Sequence, residues 1–420
     1  MTNKHLLVVG VSSSGPQHRF YIERIRRAGN EITLLTPQYH SWLKDIVNTF
    51  LYCDPFNEDA CVEVARACHE SNPFDGVLCF YEPYVKTAAK IAANLNLLGL
   101  SIEVARRCRN KYAMRNALWQ HGVRIPKYAL AEDYTKIPEI VQQFEYPVVL
   151  KPVEGAASIA VMRLNSDADL EVYMEKFVEI PRILNFKGEM PHSFLIEEYL
   201  DGEEACIDSF VQGDKIVPLM TCEKVLPMKG PLFLEEMYLS PPRYSKDKME
   251  KLLECNTQAI KALGVNIGIT HAEFRIVDGV PYVLEVAARP GGMPFPMMIE
   301  LLTDVDLPNL MAQLVSGVSS IPTVNIKQHV ALRDLFAPKT GKVLDLQGIS
   351  ECMDHPNIHS VTVYTKVGEQ VYAPPHPKGF RPNIASVVAI GKTSLECLES
   401  LIEASTLIRP KIEFVENMKH

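Results

Sequence analysis

A chain of 420 residues exceeds what one hydrophobic core organises, so two to four packed units are expected. With 47% hydrophobic and 22% charged residues it has the composition of a globular protein and not of a disordered one. Its net charge of -8, with acids and bases interspersed, leaves no basic stripe to track a phosphate backbone, which excludes nucleic acid as a partner.

Polar Met1 to Lys4 runs into the apolar Leu6, Leu7, Val8 and Val9, too short a stretch for a secretory signal. No run is long and apolar enough to cross a bilayer, so a cytoplasmic protein without a membrane partner is expected. The ten cysteines are scattered without CxxC pairs or zinc spacing and read as reduced thiols.

Residues 6–10, 17–28 and 32–35 read as strand, helix and strand, with the turn at Gly29-Asn30. The loop Val11-Ser12-Ser13-Ser14-Gly15 lacks the glycine spacing of a dinucleotide site. A strand over 76–80 and a helix over 85–94 complete a parallel sheet with covering helices. A helical pattern covers 102–122, with Pro126 beyond it. A strand over 146–150 leads through Lys151-Pro152 into the small-residue loop Glu154-Gly155-Ala156-Ala157-Ser158, then a strand over 159–163. Another strand, 194–196, enters Glu197-Glu198-Tyr199-Leu200 and the Asp201-Gly202 turn. Residues 268–288 form a hairpin around Asp278-Gly279. After Gly317, strands over 361–366 and 385–390 and a helix over 394–404 suggest a small α+β closing domain.

The hairpin carries the chemistry. On one strand His271, Glu273 and Arg275 share a face; on the return strand Glu285, Ala287 and Arg289 do. A two-residue Asp278-Gly279 turn sets Glu273 opposite Leu284 and sends Glu285 to the other side. A three-residue loop, Val277-Asp278-Gly279, sets His271 opposite Glu285 and gathers His271, Glu273, Glu285 and Arg289 on one surface. Two adjacent carboxylates repel unless a cation lies between them, and hard oxygens are what Mg²⁺ takes when it also holds phosphates. A solvated acidic strand face is the alternative. Lys151, before a small-residue loop, suits a phosphate whose other oxygens meet backbone N–H groups. Lys111 alone reads as a solvated helical charge.

In their order, Lys111, Lys151 with its flap, the acidic strand end at Glu197 to Leu200 with Gly202-Glu203-Glu204, and the two acidic strands resemble the ATP-grasp superfamily over roughly the whole chain. The resemblance implies an α/β (α+β overall) fold of four parts. These are an N-terminal Rossmann-like domain (1–110), a small ATP-covering subdomain (111–196), a large subdomain with the Mg²⁺ site (197–318) and a C-terminal α+β domain (319–420). It implies ATP and Mg²⁺, or Mn²⁺, as cofactors. Lys111 and Lys151 would hold ATP phosphates, and Glu154, Gly155 and Ser158 belong to the covering loop. Glu197, Tyr199 and Leu200 form the adenine hinge, Glu204 holds the ribose, and Glu273 and Glu285 are the metal carboxylates. Two departures stand out: Ala287 where many relatives carry a further asparagine ligand, and one glycine in the flap instead of several.

Gly268 to Phe274 (GITHAEF) and Glu285 to Gly292 (EVAARPGG) are most similar to the L-amino-acid ligases, which join two amino acids into a dipeptide through an aminoacyl phosphate. The implied partners are small-molecule amino acids and, by analogy with relatives, a second copy of the chain. Arg289 would bind the carboxylate and the later oxyanion, and Glu82 a substrate ammonium. Gly291, Gly292 and Met293 would line the substrate pocket. His271 reads as an orienting group or base, or as a structural histidine. Met228 and Phe233, in the irregular stretch 223–242, are placed to shape an acceptor pocket. A biotin-carboxylase-like or other ATP-grasp ligase and a catalytically silent nucleotide-binding module are the rival readings.

Overall fold

Alternating residues of the first strand divide between two cores, which is what a parallel sheet covered by helices on both faces requires. In the computed structural model, which describes residues 3–11, 18–177, 193–226, 231–318, 320–374, 376 and 383–414, β1 (His5–Val9) is buried throughout. Its Leu6 and Val8 pack with Ile22 and Ile25, while Leu7 and Val9 pack with Cys61 and Ile91. It lies in a parallel sheet with β2 (Glu31–Thr36), β3 (Thr49–Tyr52) and β4 (Gly76–Leu78), in the order β3-β2-β1-β4. Ser12, Ser13, Ser14 and Gly15 of the first loop, and Met228, lie outside the described residues.

The helical pattern expected over 102–122 is two helices, Ile102–Arg109 and Lys111–Gln120. Asn110 between them is extended, with φ -102° and ψ 107°, and its side chain accepts the Ala113 N–H. Asparagine competes for backbone hydrogen bonds in this way, so it ends one helix and caps the next. Lys111 thereby stands at a helix start, and its own N–H donates to the Val153 carbonyl beside Lys151 and the flap. Met114, Ala117 and Leu118 then pack with Leu252 and Ile260 of the helix Lys246–Leu263. That second helix therefore belongs to the core of the large sheet, although a boundary at 111 would assign it to the small one.

The small antiparallel sheet contains β5 (Tyr128–Ala131), β6 (Val148–Pro152), β7 (Met162–Leu164) and β8 (Phe194–Glu198), in the order β5-β8-β6-β7. The large sheet has eight strands: β9 (Glu203–Gln212), β10 (Lys215–Lys224), β11 (Met237–Ser240), β12 (Ile267–Val277), β13 (Val280–Ala287), β14 (His329–Phe336), β16 (Ile358–Val363) and β18 (Asn383–Gly391). Their order is β13-β12-β9-β10-β11-β14-β18-β16. The sheet crosses the boundary expected at 319, because β11 pairs with β14 along its open edge, Tyr238 opposite Leu332. Among the described residues, β15 (Gly341–Gln347), β17 (Gln370–Val371) and β19 (Arg409–Phe414) form a separate three-stranded sheet. The ten cysteines are unbridged. No helix among the described residues is long and apolar enough to cross a membrane.

Candidate functional site

One face of the large sheet forms the floor of a cavity of about 620 Å³, walled by the loop after β4, the small sheet and the C-terminal strands. The register of the β12–β13 hairpin decides what that floor carries. Val277 pairs with Val280, so the turn is the two-residue Asp278-Gly279, with φ of 49° and 75° as a type I′ turn needs. The three-residue loop is therefore not formed. A bulge does its work: Phe274 pairs with Val283 and Glu273 with Glu285, leaving Leu284 as the extra residue. Glu273 thus faces Glu285 directly, and His271 stands opposite Ala287 instead of Glu285. The Leu284 carbonyl accepts from Arg115 Nη2 at 2.7 Å.

A polar row crosses the floor in register: Arg275 opposite Glu204, Glu204 opposite Lys224, Lys224 opposite Tyr238. Arg275 Nη2 lies 2.5 Å from one Glu204 oxygen and Lys224 Nζ 2.8 Å from the other. Lys224 also meets Glu235, and Glu273 at 3.4 Å. Burial opposes its charge, but Glu204, Glu235 and Glu273 outweigh that and hold its pKa well above the usual lysine range. Burial likewise opposes ionisation of Glu273, yet Lys224 and His271 keep its carboxyl well below the usual range.

Lys111 Nζ is 3.0 Å from Glu285. Lys151 Nζ is 2.6 Å from Glu197, whose other oxygen accepts from Arg115 Nε at 2.5 Å. All three are buried. Burial lowers the Lys151 pKa against the opposing pull of Glu197. Glu197 was expected in the adenine hinge, but its carboxylate is committed to these two cations and its backbone lies inside β8, paired on both sides. It is a support for Lys151. Tyr199 N–H donates to the Pro147 carbonyl, and Tyr199 and Leu200 line the cavity. In the loop after β6, Ala157, Ser158 and Ala160 take φ of 55°, 53° and 57°, left-handed values that cost a non-glycine residue about 1–3 kcal/mol each. Glu154 pairs with Lys86 at 3.2 Å, so its side chain turns away from the loop's interior.

Arg289 Nε lies 2.5 Å from one Glu82 oxygen, and Arg109 Nη1 donates to the other at 2.7 Å and to the Gly155 carbonyl at 3.2 Å. The expectation that Glu82 receives a substrate ammonium is corrected here: both its oxygens are held by guanidinium groups. Burial pushes its pKa up, but Arg289 and Arg109 bring it down to about 2. On the far side, Asp208 accepts from Gly291 N–H at 2.7 Å and lies 3.0 Å from His271 Nδ1. Burial opposes a charged imidazole, but Asp208 and Glu273 outweigh it and hold the His271 pKa well above its usual value. Gly291 has to be glycine, since a Cβ there would lie 2.9 Å from Phe295 and 3.0 Å from His271 Nδ1. Gly292, Met293 and Phe233 line the cavity.

Among the described residues no three metal-binding side chains converge. Glu273 and Glu285 nevertheless fit a magnesium ion that draws its remaining ligands from phosphate and water, because two hard carboxylates face each other and each leans on a lysine. Ala287 supplies no third ligand.

This arrangement agrees with the comparisons. Residues 144–295 match the ATP-grasp domain and residues 22–99 the ATP-grasp N-terminal domain. The chain belongs to the ATP-grasp superfamily. It is similar to dapdiamide A synthase of Enterobacter agglomerans, 30% identical over 46% of this chain and 45% of that protein. It is also similar to alanine–anticapsin ligase of Bacillus subtilis (strain 168), 24% identical over 60% of this chain and 56% of that one. The chain thus spans about half the length of these two relatives. An L-amino acid ligase from Bacillus licheniformis has the same fold, with a TM-score of 0.84 and 24% identity over 98% of this chain and 99% of that one. The domain matches and the fold agree on the ATP-grasp architecture.

Sequence reasoning missed Lys224, Asp208, Arg109 and Arg115. The available signal was the period-two spacing of Glu204, Cys206 and Asp208, which puts all three on the face that carries Glu273.

Proposed function

We propose that the protein is an ATP-dependent L-amino-acid ligase that forms a dipeptide through an aminoacyl phosphate. The observation that carries this is the placement of Glu273 opposite Glu285, with Lys111 on Glu285 and Arg289 at the same cavity wall. Lys111 and Lys151 would neutralise ATP phosphate oxygens beneath the loop from Glu154 to Ser158. Leu200 and Tyr199 would edge the adenine, with Glu204 toward the ribose. A magnesium ion on Glu273 and Glu285 would supply charge neutralisation for the β- and γ-phosphates.

The substrate carboxylate oxygen attacks the γ-phosphorus and ADP leaves. The amine nitrogen of the second substrate then attacks the carbonyl carbon. The C–N bond forms, the C–O bond to phosphate breaks, and the amine's proton is released. Arg289, its Nε beside Glu82 and its Nη1 donating to the Pro290 carbonyl, would present Nη2 to the carboxylate and then to the oxyanion. Fixed donors of this kind favour the transition state because they need no reorganisation when charge develops.

The test is phosphate release from ATP and Mg²⁺ across single amino acids, amino-acid pairs and bicarbonate, with mass spectrometry of the products. Release only with a pair, and a product equal to the pair minus water, is the expected result. Release with bicarbonate or another acid alone would sink the dipeptide reading.

A further inference from the structure

The cavity floor continues past the ATP-facing row. Tyr238 stands opposite Leu332 on β14, and Asp334, two residues further along, shares that face and lines the same cavity. Across the sheet Asp334 pairs with Ser386 on β18, whose hydroxyl donates to its Oδ1. The Tyr364 hydroxyl lies 3.0 Å from Ser386 Oγ, and the Asn383 side chain hydrogen-bonds Asp334 as well. These neutral groups fix the carboxylate in one orientation without neutralising it.

Among the described residues no cation lies within ion-pair distance of Asp334, whereas Glu82, Glu197, Glu204, Glu273 and Glu285 each have one. Its neighbour Arg333 turns to the other face and pairs with Glu236 at 2.9 Å. The C-terminal strands and loops bring Phe336, Tyr364, Glu369 and Tyr372 to this wall, and no lysine, arginine or histidine among the described residues. Glu235 is within electrostatic reach of both Asp334 and Glu273, which sets this wall next to the magnesium carboxylates. Burial, with Glu235 adding to it, pushes the Asp334 carboxyl up to about 7. An anionic wall left short of one positive charge gains most from a ligand that brings it.

We infer that this end of the cavity seats the amine-donating substrate, and that Asp334 takes its ammonium group. The inference rests on the reading of the chain as a carboxylate–amine ligase. The substrate class is a primary amine that arrives protonated, bound beside the acyl phosphate that it will attack after losing a proton. Asp334 is thus a specificity-determining residue for the second substrate and for neither ATP nor the carboxylate substrate.

The experiment compares wild type with Asp334→Asn in two assays. In one, hydroxylamine, which is neutral near pH 7 and needs no ammonium seat, traps the acyl phosphate as a hydroxamate. In the other, dipeptide formation is followed as the amine substrate is varied. The variant is expected to keep the hydroxamate rate while KM for the amine rises about tenfold or more, the loss of one charge-assisted hydrogen bond. An unchanged KM for the amine, or a rise confined to ATP or the carboxylate substrate, would overturn the inference. Ser386→Ala, which keeps the carboxylate but frees its orientation, should raise the same KM about threefold; should Asp334→Asn not fold, an unchanged KM in Ser386→Ala overturns the inference by itself. If wild type forms no hydroxamate with any amino acid, it is the ligase reading that fails, and the inference falls with it.

Discussion

Glu82 ties two guanidinium groups together, and the consequence is measurable in both stability and rate. Replacing it by glutamine leaves Arg109 and Arg289 buried and facing one another, a loss of about 3–5 kcal/mol for a broken buried pair. Because the folded pKa is depressed to about 2, the stabilisation is present above the ordinary carboxylate pKa and is lost as pH falls from about 4.5 through 2. Acid denaturation of Glu82→Gln, followed by circular dichroism, should therefore be flatter than that of wild type in this window. With Arg289 no longer held, kcat should fall about 10²-fold, the usual cost of losing one transition-state donor, while ATP affinity stays within about twofold. A loss of ATP affinity with kcat unchanged would place Arg289 on the nucleotide instead. Gly291→Ala tests the opposite wall. Its Cβ cannot coexist with the present positions of Phe295 and His271, so overpacking of about 1–3 kcal/mol and a clear drop in kcat/KM are expected. Wild-type kinetics in that variant would show that the position of His271 is immaterial.

At the level of elements, what could be read in the sequence depended on whether a residue pattern had a single physical meaning. The helix expected over 85–94 is found as Val85–Asn94, since its small apolar residues recur at helical spacing and Asn94 ends it. The hairpin was legible as a hairpin, yet its register was not, because a bulge has no side-chain signature: Leu284 differs from its neighbours only in being skipped by the ladder. The break at Asn110 was hidden by the apolar period that continues through it, although asparagine is a capping residue. β9 and β10 went unread because β9 is buried on both faces from Glu204 to Val211, which removes the alternation that marks a half-exposed strand. The pieces of the site they carry, Asp208 and Lys224, were lost with them. The bulge also gives a prediction. Arg115 is fully buried and holds both the Leu284 carbonyl and Glu197, so Arg115→Ala should destabilise the fold by about 3–5 kcal/mol. Urea unfolding would measure it, and a change below about 1 kcal/mol would show that neither the bulge nor Glu197 depends on that arginine.

Across the whole molecule the site is a junction. Glu82 comes from the parallel sheet's end, Lys151 and Gly155 from the small sheet, Glu273 and Glu285 from the large one, and Asp334 from the C-terminal strands. A nucleotide seated on Lys111, Lys151 and the two glutamates would touch several of these units at once, so its binding should resist their separation. Linkage gives about 2.7 kcal/mol of added stability when ATP and Mg²⁺ are present at 100 times their dissociation constant. Thermal unfolding should show this as an upward shift that EDTA reduces. Lys151→Ala should abolish the shift and also lower the starting Tm, because Glu197 keeps Arg115 but loses its second cation. Lys111→Ala should reduce the shift while lowering the starting Tm less, since Glu285, unlike Glu197, is partly open to water. Equal shifts in wild type and both variants would mean that ATP stabilises the protein from somewhere other than this junction.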